Sequence, residues 1–279
     1  MSLWWAGAIV VIAVAVAVGA LLAIRHFSPH GGHFGDTSRA AGVFSILATS
    51  FAVLFAFVVF LAFTAYDKTR TGAETEANTV TQQFETAQLL PPDASPQLSS
   101  ELVCYARSVV HQEWPQMVSG NAPTFNPWAV PLFGTLKTID PTTPAQQAAY
   151  AEWLTQTSQR EQARQDRVHG AQGVIPAPLW FVLLISGGIV LAFVFFFADR
   201  GEGAVIQAVQ VGAVMAMLTA SLLVVRFLDH PYHPGSGSIK PTAMEQSLGK
   251  LDLAIKTLHL NLPTRCDDAG QAVPASPGG

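Results

Sequence analysis

Four long windows without a single charged residue constrain this chain more than any other feature. They are Met1–Ile24, Ala40–Tyr66, Val168–Ala198 and Gly203–Val225, with lengths of 24, 27, 31 and 23 residues. A helix that crosses a bilayer needs about 20 consecutive apolar residues. Only 12% of the chain is Asp, Glu, Lys or Arg, against about 25% in a typical soluble domain. The sequence therefore predicts an all-α membrane protein with four transmembrane helices and a cytoplasmic helical domain.

The predicted spans divide the chain into nine segments. In order they are a first transmembrane helix at 1–24, a short extracytoplasmic loop at 25–41, a second transmembrane helix at 42–63, a cytoplasmic helical domain at 64–178, a third transmembrane helix at 179–198, a short extracytoplasmic turn at 199–203, a fourth transmembrane helix at 204–228, a cytoplasmic amphipathic helix region at 229–267 and a disordered tail at 268–279.

The orientation follows from the basic residues near the span ends, because loops rich in Lys and Arg stay in the cytoplasm. Three arginines lie in the two short connections, whereas the other side carries Lys68, Arg70, Arg160, Arg164, Arg167, Arg226 and Lys240. This count predicts cytoplasmic termini and a cell-membrane protein that spans the bilayer several times. With that orientation Cys104 and Cys266 face the reducing cytosol and stay free, and with the opposite orientation they are a plausible extracellular pair.

Outside the membrane, apolar residues at three- and four-residue steps predict four helices. They lie at about 73–90, 98–114, 144–169 and 244–258, and a proline-rich loop is expected from 115 to about 143. Arg160, Arg164 and Arg167 share one face of the third helix. Glutamates in these helices, Glu76 and Glu113 among them, are expected to be solvated or to cap helix ends.

The second span has one face of small and mildly polar residues. At about 100° per residue, this face contains Ser45, Ala48, Thr49, Ala52, Ala56 and Phe63, with Phe60 beside it and Arg70 further along the same line. Such a face is typical of a pore with a hydrophobic constriction. We therefore interpret Ser45, Thr49, Ala52, Ala56, Phe60 and Phe63 as candidate pore-lining residues and Arg70 as a candidate cytoplasmic vestibule residue. The alternative is that the small face packs against another helix.

The same span has a neighbouring stripe that is entirely apolar. It contains Phe44, Phe51, Phe55 and Val58, and we expect it to face lipid. The fourth span carries small residues four apart at Ala208, Gly212, Ala216 and Ala220, which favours close helix packing.

Several classes of function are disfavoured. No charge lies inside a span, which argues against proton relays and ion-coupled transport. No Lys/Arg cluster suits nucleic acid, and no phosphate loop, nucleophile elbow or zinc-protease helix is present, so we expect no enzyme activity, no catalytic residue and no cofactor. A metal site at His26, His30, His33 and Asp36, or at His230 and His233, is the weaker alternative to a solvated loop and an interfacial turn.

Three motifs in order resemble the bestrophin-like domain family of bacterial integral membrane proteins. The first is Tyr66 to Arg70 followed by Glu76-Ala77-Asn78, and the second is Glu113-Trp114-Pro115 after Tyr105 and Val109. The third is Asp229-His230-Pro231-Tyr232, which leads to Gly237 and Pro241; here Tyr232 replaces the usual Phe and residues 233–236 look like an insertion. The resemblance covers about residues 40–260.

Bestrophins are pentameric anion channels with a cytoplasmic helical domain, so the resemblance implies an oligomeric channel. Together with the small-residue face, it predicts a homo-oligomeric passive ion channel in a lipid bilayer, with anions as the permeant ions. The alternative is a non-conducting membrane scaffold or sensor whose cytoplasmic helices bind a partner.

Overall fold

The computed structural model describes residues 3–28 and 33–273 of the chain. In this part the helices are α1 (Leu3–Phe27), α2 (Thr37–Ala87), α3 (Ser95–Ser108), α4 (Trp114–Val118), α5 (Ala129–Leu136), α6 (Pro144–His169), α7 (Ala177–Phe196), α8 (Ala204–Asp229) and α9 (Thr242–Thr257). A π-helical segment, Val109–Glu113, joins α3 to α4. The chain forms two compact units: unit 1 is Met1–Ala65 and Val174–Gly237, and unit 2 is Tyr66–Gly173 and Ser238–Gly279.

Unit 1 contains the membrane-spanning part of the protein. Helices α1, α7, α8 and the first part of α2 are long and apolar enough to cross a bilayer, and each predicted span falls on one of them. The all-α membrane fold predicted from the charge-free windows is thereby confirmed. Helix α2 has 51 residues and is about 75 Å long, whereas the hydrocarbon core of a bilayer measures about 30 Å. The helix is therefore longer than the bilayer is thick, and its residues from Tyr66 to Ala87 belong to unit 2.

The small-residue stripe of α8 packs against α1. A Cβ atom on Gly212 would lie 3.4 Å from Cγ1 of Val14 and 3.7 Å from Cγ2 of Val18, which is ordinary contact distance. Beside this crossing Leu21 and Val211 are fully buried. Close packing at a glycine is how helices associate in lipid, where burial from water supplies no driving force.

Polar groups at one end of unit 1 satisfy each other. Arg25 at the end of α1 donates to Oε1 of Gln207 over 3.0 Å and to the carbonyl oxygen of Arg200 over 3.1 Å. Arg200 donates in return to the carbonyl oxygen of Arg25 over 3.0 Å. These bonds tie the end of α1 to the turn between α7 and α8.

Unit 2 is a helical assembly outside the apolar spans, and two of its short helices, α4 and α5, were not predicted. Helix α6 begins at Pro144 and ends at His169, as the sequence predicts, and Thr143 and Gln146 form a capping box at its start. Helix α5, however, lies in the segment that we expected to be a proline-rich loop. Pro131 is accommodated there because it falls in the first turn of the helix, where its missing N–H has no partner to lose.

The end of unit 2 also differs from expectation. Residues 268–273 were predicted to be part of a disordered tail. They belong instead to an ordered segment, Pro263–Val273, which we call the C-terminal strap. Within it the backbones of Cys266 and Ala272 pair in an isolated antiparallel β-bridge. Residues 274–279 of the predicted tail lie outside the described residues. Cys104 and Cys266, expected to be free thiols on the cytoplasmic side, are joined in a disulfide bond.

Candidate functional site

The face of α2 proposed to line a pore is exposed throughout unit 1. All six candidate residues are solvent-accessible in the single chain, including Phe60 at 64% and Phe63 at 54%; the others are Ser45, Thr49, Ala52 and Ala56. The Ser45 hydroxyl donates to the carbonyl oxygen of Ala41 over 2.9 Å. This hydrogen bond lies within α2. The Ser45 side chain therefore makes no use of another helix of this chain as its acceptor, and the face can contact a second copy or water.

The neighbouring apolar stripe of α2 does not face lipid, which corrects our expectation. Val58 is fully buried with Leu183 of α7 and Val225 of α8, and Phe51 and Phe55 pack against this cluster. Phe44 also packs inward. Its ring stacks against that of Phe193 with a centroid distance of 6.3 Å and meets that of Phe197 edge to face with a centroid distance of 5.9 Å. On an apolar helix, aromatic side chains pack equally well against lipid and against another helix. The sequence pattern alone therefore could not distinguish the two, and our prediction of a lipid-facing stripe was wrong.

Arg70, the candidate vestibule residue, lies on the exposed side of α2 in unit 2. Its Nε atom donates to Oε1 of Glu74 over 3.0 Å, and the two side chains are 61% and 51% exposed. The ion pair raises the pKa of Arg70 through its hydrogen bond to Glu74. The positive charge is therefore partly offset by a carboxylate one turn away.

A buried ionic cluster forms the centre of unit 2. Arg167, on α6, donates to both carboxylate oxygens of Glu76 and to Oε2 of Glu113. Arg164 donates to Oε1 of Glu113 over 2.9 Å, and the Tyr105 hydroxyl donates to Oε1 of Glu76 over 2.7 Å. All five side chains are buried, so these charges are removed from water and satisfied by each other.

Aromatic rings complete the cluster. The guanidinium carbon of Arg167 lies 5.6 Å from the ring centre of Trp114, and that of Arg160 lies 4.7 Å from the ring of Tyr105. Arg160 also donates to Oε1 of Gln83 over 2.7 Å. Cations over aromatic faces are stabilised most strongly when they are desolvated, as they are here.

The electrostatics of the cluster follow from burial and opposite charges. Burial alone would raise the pKa of the Glu113 carboxyl, but Arg167 and Arg164 outweigh it and hold that pKa below its ordinary value. Burial would likewise lower the pKa of Arg167, yet Glu76 and Glu113 raise it well above the usual value. Burial and Glu76 both raise the pKa of Tyr105. These shifts favour the ionised forms of Glu113 and Arg167 and the neutral, hydrogen-donating form of Tyr105.

The cluster corrects the roles expected for its acidic members. Glu76 and Glu113 are neither solvated nor capping residues, because α6 covers both of them. The arginine face of α6 was the sequence signal that could have indicated this cluster. Three buried cations require buried carboxylates or other hydrogen-bond acceptors as partners.

A match to a family model decides what kind of chain this is. The model described as the bestrophin-like domain matches residues 11–244. The chain belongs to the bestrophin-like family. Among proteins with curated descriptions, none matches it significantly.

The bestrophin-like fold is also evident from solved structures. Crystal structures of a bacterial bestrophin homologue from Klebsiella pneumoniae are similar to this chain at 12% identity. One mutant form has a TM-score of 0.67 and the match covers 88% of this chain and 98% of that one. A second mutant form has a TM-score of 0.69 with coverage of 89% and 99%, and the form solved by zinc phasing has 0.66 with 92% and 99%. At this identity the likeness establishes a shared fold.

The structure assigns contacts to most of the family motifs. Glu76, Glu113 and Trp114 meet in the ionic cluster, and Pro115 follows directly as the second residue of α4. Tyr66 begins unit 2. In unit 1, Asp229 ends α8 and accepts hydrogen bonds from the backbone of Val174 and Ile175, both over 2.8 Å, and from Nε1 of Trp180 over 3.1 Å. Pro231 lies two residues later in the same turn.

The histidines predicted as weak metal candidates are placed differently. The rings of His230 and His233 meet edge to face with centroids 5.2 Å apart, and burial and the neighbouring His230 lower the pKa of His233. In the first connection, His30 lies outside the described residues. Within residues 3–28 and 33–273, no three His, Cys, Asp or Glu side chains are grouped closely enough to hold a metal ion.

Proposed function

We propose that this bestrophin-like protein is a passive ion channel in which several copies of α2 line a pore. The observation that carries the proposal is the exposed small-residue face from Ser45 to Phe63, next to an aromatic stripe buried against α7 and α8. The aromatic side chains Phe51 and Phe55, which we expected to face lipid, pack against α7 and α8 of the same chain. The small face is left for a neighbouring copy or a water-filled space.

The composition of this face suits conduction. Ser45 and Thr49 offer hydroxyl groups near one end, Ala52 and Ala56 leave room, and Phe60 and Phe63 narrow the opening. Rings of apolar side chains gate channels by excluding water from a constriction. Since no charged residue lies inside any span, passive flow is favoured over coupled transport.

Conduction through purified protein in planar lipid bilayers tests the proposal. We expect a current under a chloride salt gradient, and we expect Phe63→Ala to increase it because the substitution removes an apolar ring from the constriction. Phe57→Ala is the matched control: Phe57 is 58% exposed on another face of α2 and its loss should leave the current unchanged. Absence of current from wild-type protein, or equal effects of the two variants, would contradict the proposal.

The sign of the permeant ion depends on the ion pair of Arg70 and Glu74. The resemblance favours anions, and a free guanidinium in the vestibule would attract them. We expect Glu74→Gln, which frees Arg70, to shift the reversal potential toward anion permeation, and Arg70→Gln to shift it toward cation permeation. Reversal potentials in asymmetric salt measure both. Shifts in the same direction, or no shift in either variant, would remove Arg70 from the pathway.

One observation favours the alternative of a non-conducting scaffold. Phe125, Val130 and Phe133 are exposed large apolar residues in and beside α5 of unit 2, and such a patch suits a protein partner. Particle symmetry separates the two functions. A channel requires a ring of copies with the α2 face toward an axial opening, whereas a scaffold requires no opening and should bury that face.

A further inference from the structure

The C-terminal strap is held against unit 2 at points on both sides of Cys266. Before the cysteine, the Ser100 hydroxyl of α3 donates to the carbonyl oxygen of Pro263. After it, Nε2 of Gln112 donates to the carbonyl oxygen of Ala269 over 2.9 Å, and Nε1 of Trp128 donates to that of Gly270 over 2.8 Å. The strap therefore has one register along α3 and the π-helical segment.

Gly270 fixes this register further. Its φ angle is +75°, and a Cβ atom at this position would lie 2.4 Å from the backbone nitrogen of Ser108. Only glycine fits such a close approach in this conformation. Asp267 shapes the preceding turn by accepting hydrogen bonds from the backbone of Ala269 and Gln271.

Between these anchors Cys266 meets Cys104. The two cysteines are 162 residues apart in the sequence, their Cα atoms are 5.8 Å apart, and they form a disulfide bond. Both are buried, with 2% and 4% exposure. The bond is thus part of the core of unit 2 and not a contact between mobile surface thiols.

A buried structural disulfide indicates the compartment in which a protein folds. Such bonds form outside the cytosol, where thiols are not kept reduced. In the reaction two thiols become one disulfide, and two electrons and two protons pass by thiol–disulfide exchange to an oxidant that itself carries a disulfide, which becomes a dithiol. We propose that unit 2 lies on the non-cytoplasmic side of the membrane, together with both chain termini.

This orientation is opposite to the one that the count of basic residues predicts. Five of the seven residues counted there lie in the 115-residue segment 64–178, namely Lys68, Arg70, Arg160, Arg164 and Arg167. Segments longer than about 60 residues are translocated largely regardless of charge. The arginines of α6 are, moreover, committed to the buried cluster.

The basic residues closest to the spans do not decide the orientation. Arg25, Arg39 and Arg200 lie in the two short connections, where the charge rule applies most strongly. On the other side Lys68, Arg70, Arg226 and Lys240 lie close to span ends. Three against four selects neither orientation, so the disulfide carries the proposal, and it is independent of the channel proposal.

Two measurements on the full chain in bacterial cells test the orientation. The first is a pair of C-terminal fusions, to alkaline phosphatase, which is active only outside the cytosol, and to a green fluorescent protein that matures only inside it. We expect phosphatase activity and no fluorescence. A fluorescent, phosphatase-inactive C-terminus would overturn the proposal.

The second measurement reads the oxidation state of the two cysteines in the cell. Thiols are trapped in acid and alkylated with a maleimide polymer that retards the protein on a gel. We expect no retarded species before reduction and two tags after it, whereas the single variants Cys104→Ser and Cys266→Ser should each take one tag without reduction. Cells that lack the extracytoplasmic dithiol oxidase should give two tags without reduction. Two tags before reduction in normal cells would overturn the proposal.

Discussion

The Arg167→Gln variant is expected to lose about 3–5 kcal/mol of the free energy of unfolding of unit 2. The substitution removes a cation that bonds to both Glu76 and Glu113. Two carboxylates would remain in a region with almost no access to water. Among the ion pairs of residues 3–28 and 33–273, that of Glu113 with Arg164 would persist, whereas Glu76 would lose its cation. A loss of this size is a large part of the total stability of an ordinary domain, so we expect unit 2 to open far more often than in the wild type.

Hydrogen exchange of the detergent-solubilised full chain measures this effect, because peptides from α6 and from the cluster half of α2 report on unit 2 directly. The matched control is Arg70→Gln, the same substitution in an exposed ion pair, which should leave protection in α6 unchanged. Equal protection in the two variants would show that the cluster contributes nothing to the stability of unit 2. Protection lost in α1 as well would show that the units do not unfold separately.

The sequence was sufficient to predict the membrane part of the fold. Charge-free windows identify spans because the cost of a buried charge in lipid acts on each helix separately. The bounds of α6 were also predictable, since Pro144 marks its start and the residues that cap it are adjacent in the sequence. In each case the physical cause lies within one stretch of chain.

The candidate site was predictable only in part, because its contacts join distant residues. Arg167 lies 91 residues from Glu76 and 54 residues from Glu113, and no local pattern pairs them. An arginine face on an amphipathic helix has the same sequence whether it meets water or carboxylates. Similarly, the sequence positions of Phe51 and Phe55 are equally compatible with contact to lipid and with contact to α7.

Gly72 is a further residue whose role only the structure reveals. A Cβ atom at this position of α2 would lie 2.8 Å from the carbonyl oxygen of Ala163 and 2.8 Å from the backbone nitrogen of Arg167, both on α6. These are backbone atoms, so no side chain can turn away to make room. We expect Gly72→Ala to lower the free energy of unfolding by about 1–3 kcal/mol, and Gly72→Leu to lower it further.

The matched control, Gly249→Ala, should have the opposite sign. Gly249 lies inside α9, and a Cβ atom there meets nothing within 4 Å. Alanine at such a position stabilises a helix by about 0.5–1 kcal/mol relative to glycine. Denaturant unfolding of the full chain in detergent, followed by circular dichroism, measures both variants. A stabilising effect of Gly72→Ala would mean that α2 and α6 do not cross as closely as the structure has them.

The effects of Gly72→Ala and Arg167→Gln should not add. The close crossing at Gly72 holds the backbone of Arg167 against α2, and the same helix carries Glu76 one turn later. An added methyl group moves α6 outward and thereby lengthens the bonds that Arg167→Gln would remove. Mutations that share partners in this way commonly couple by 0.5–3 kcal/mol, roughly the size of the single effects. The double variant is therefore expected to lose less free energy of unfolding than the sum of the two single losses. Strict additivity would show that Gly72 acts on packing alone.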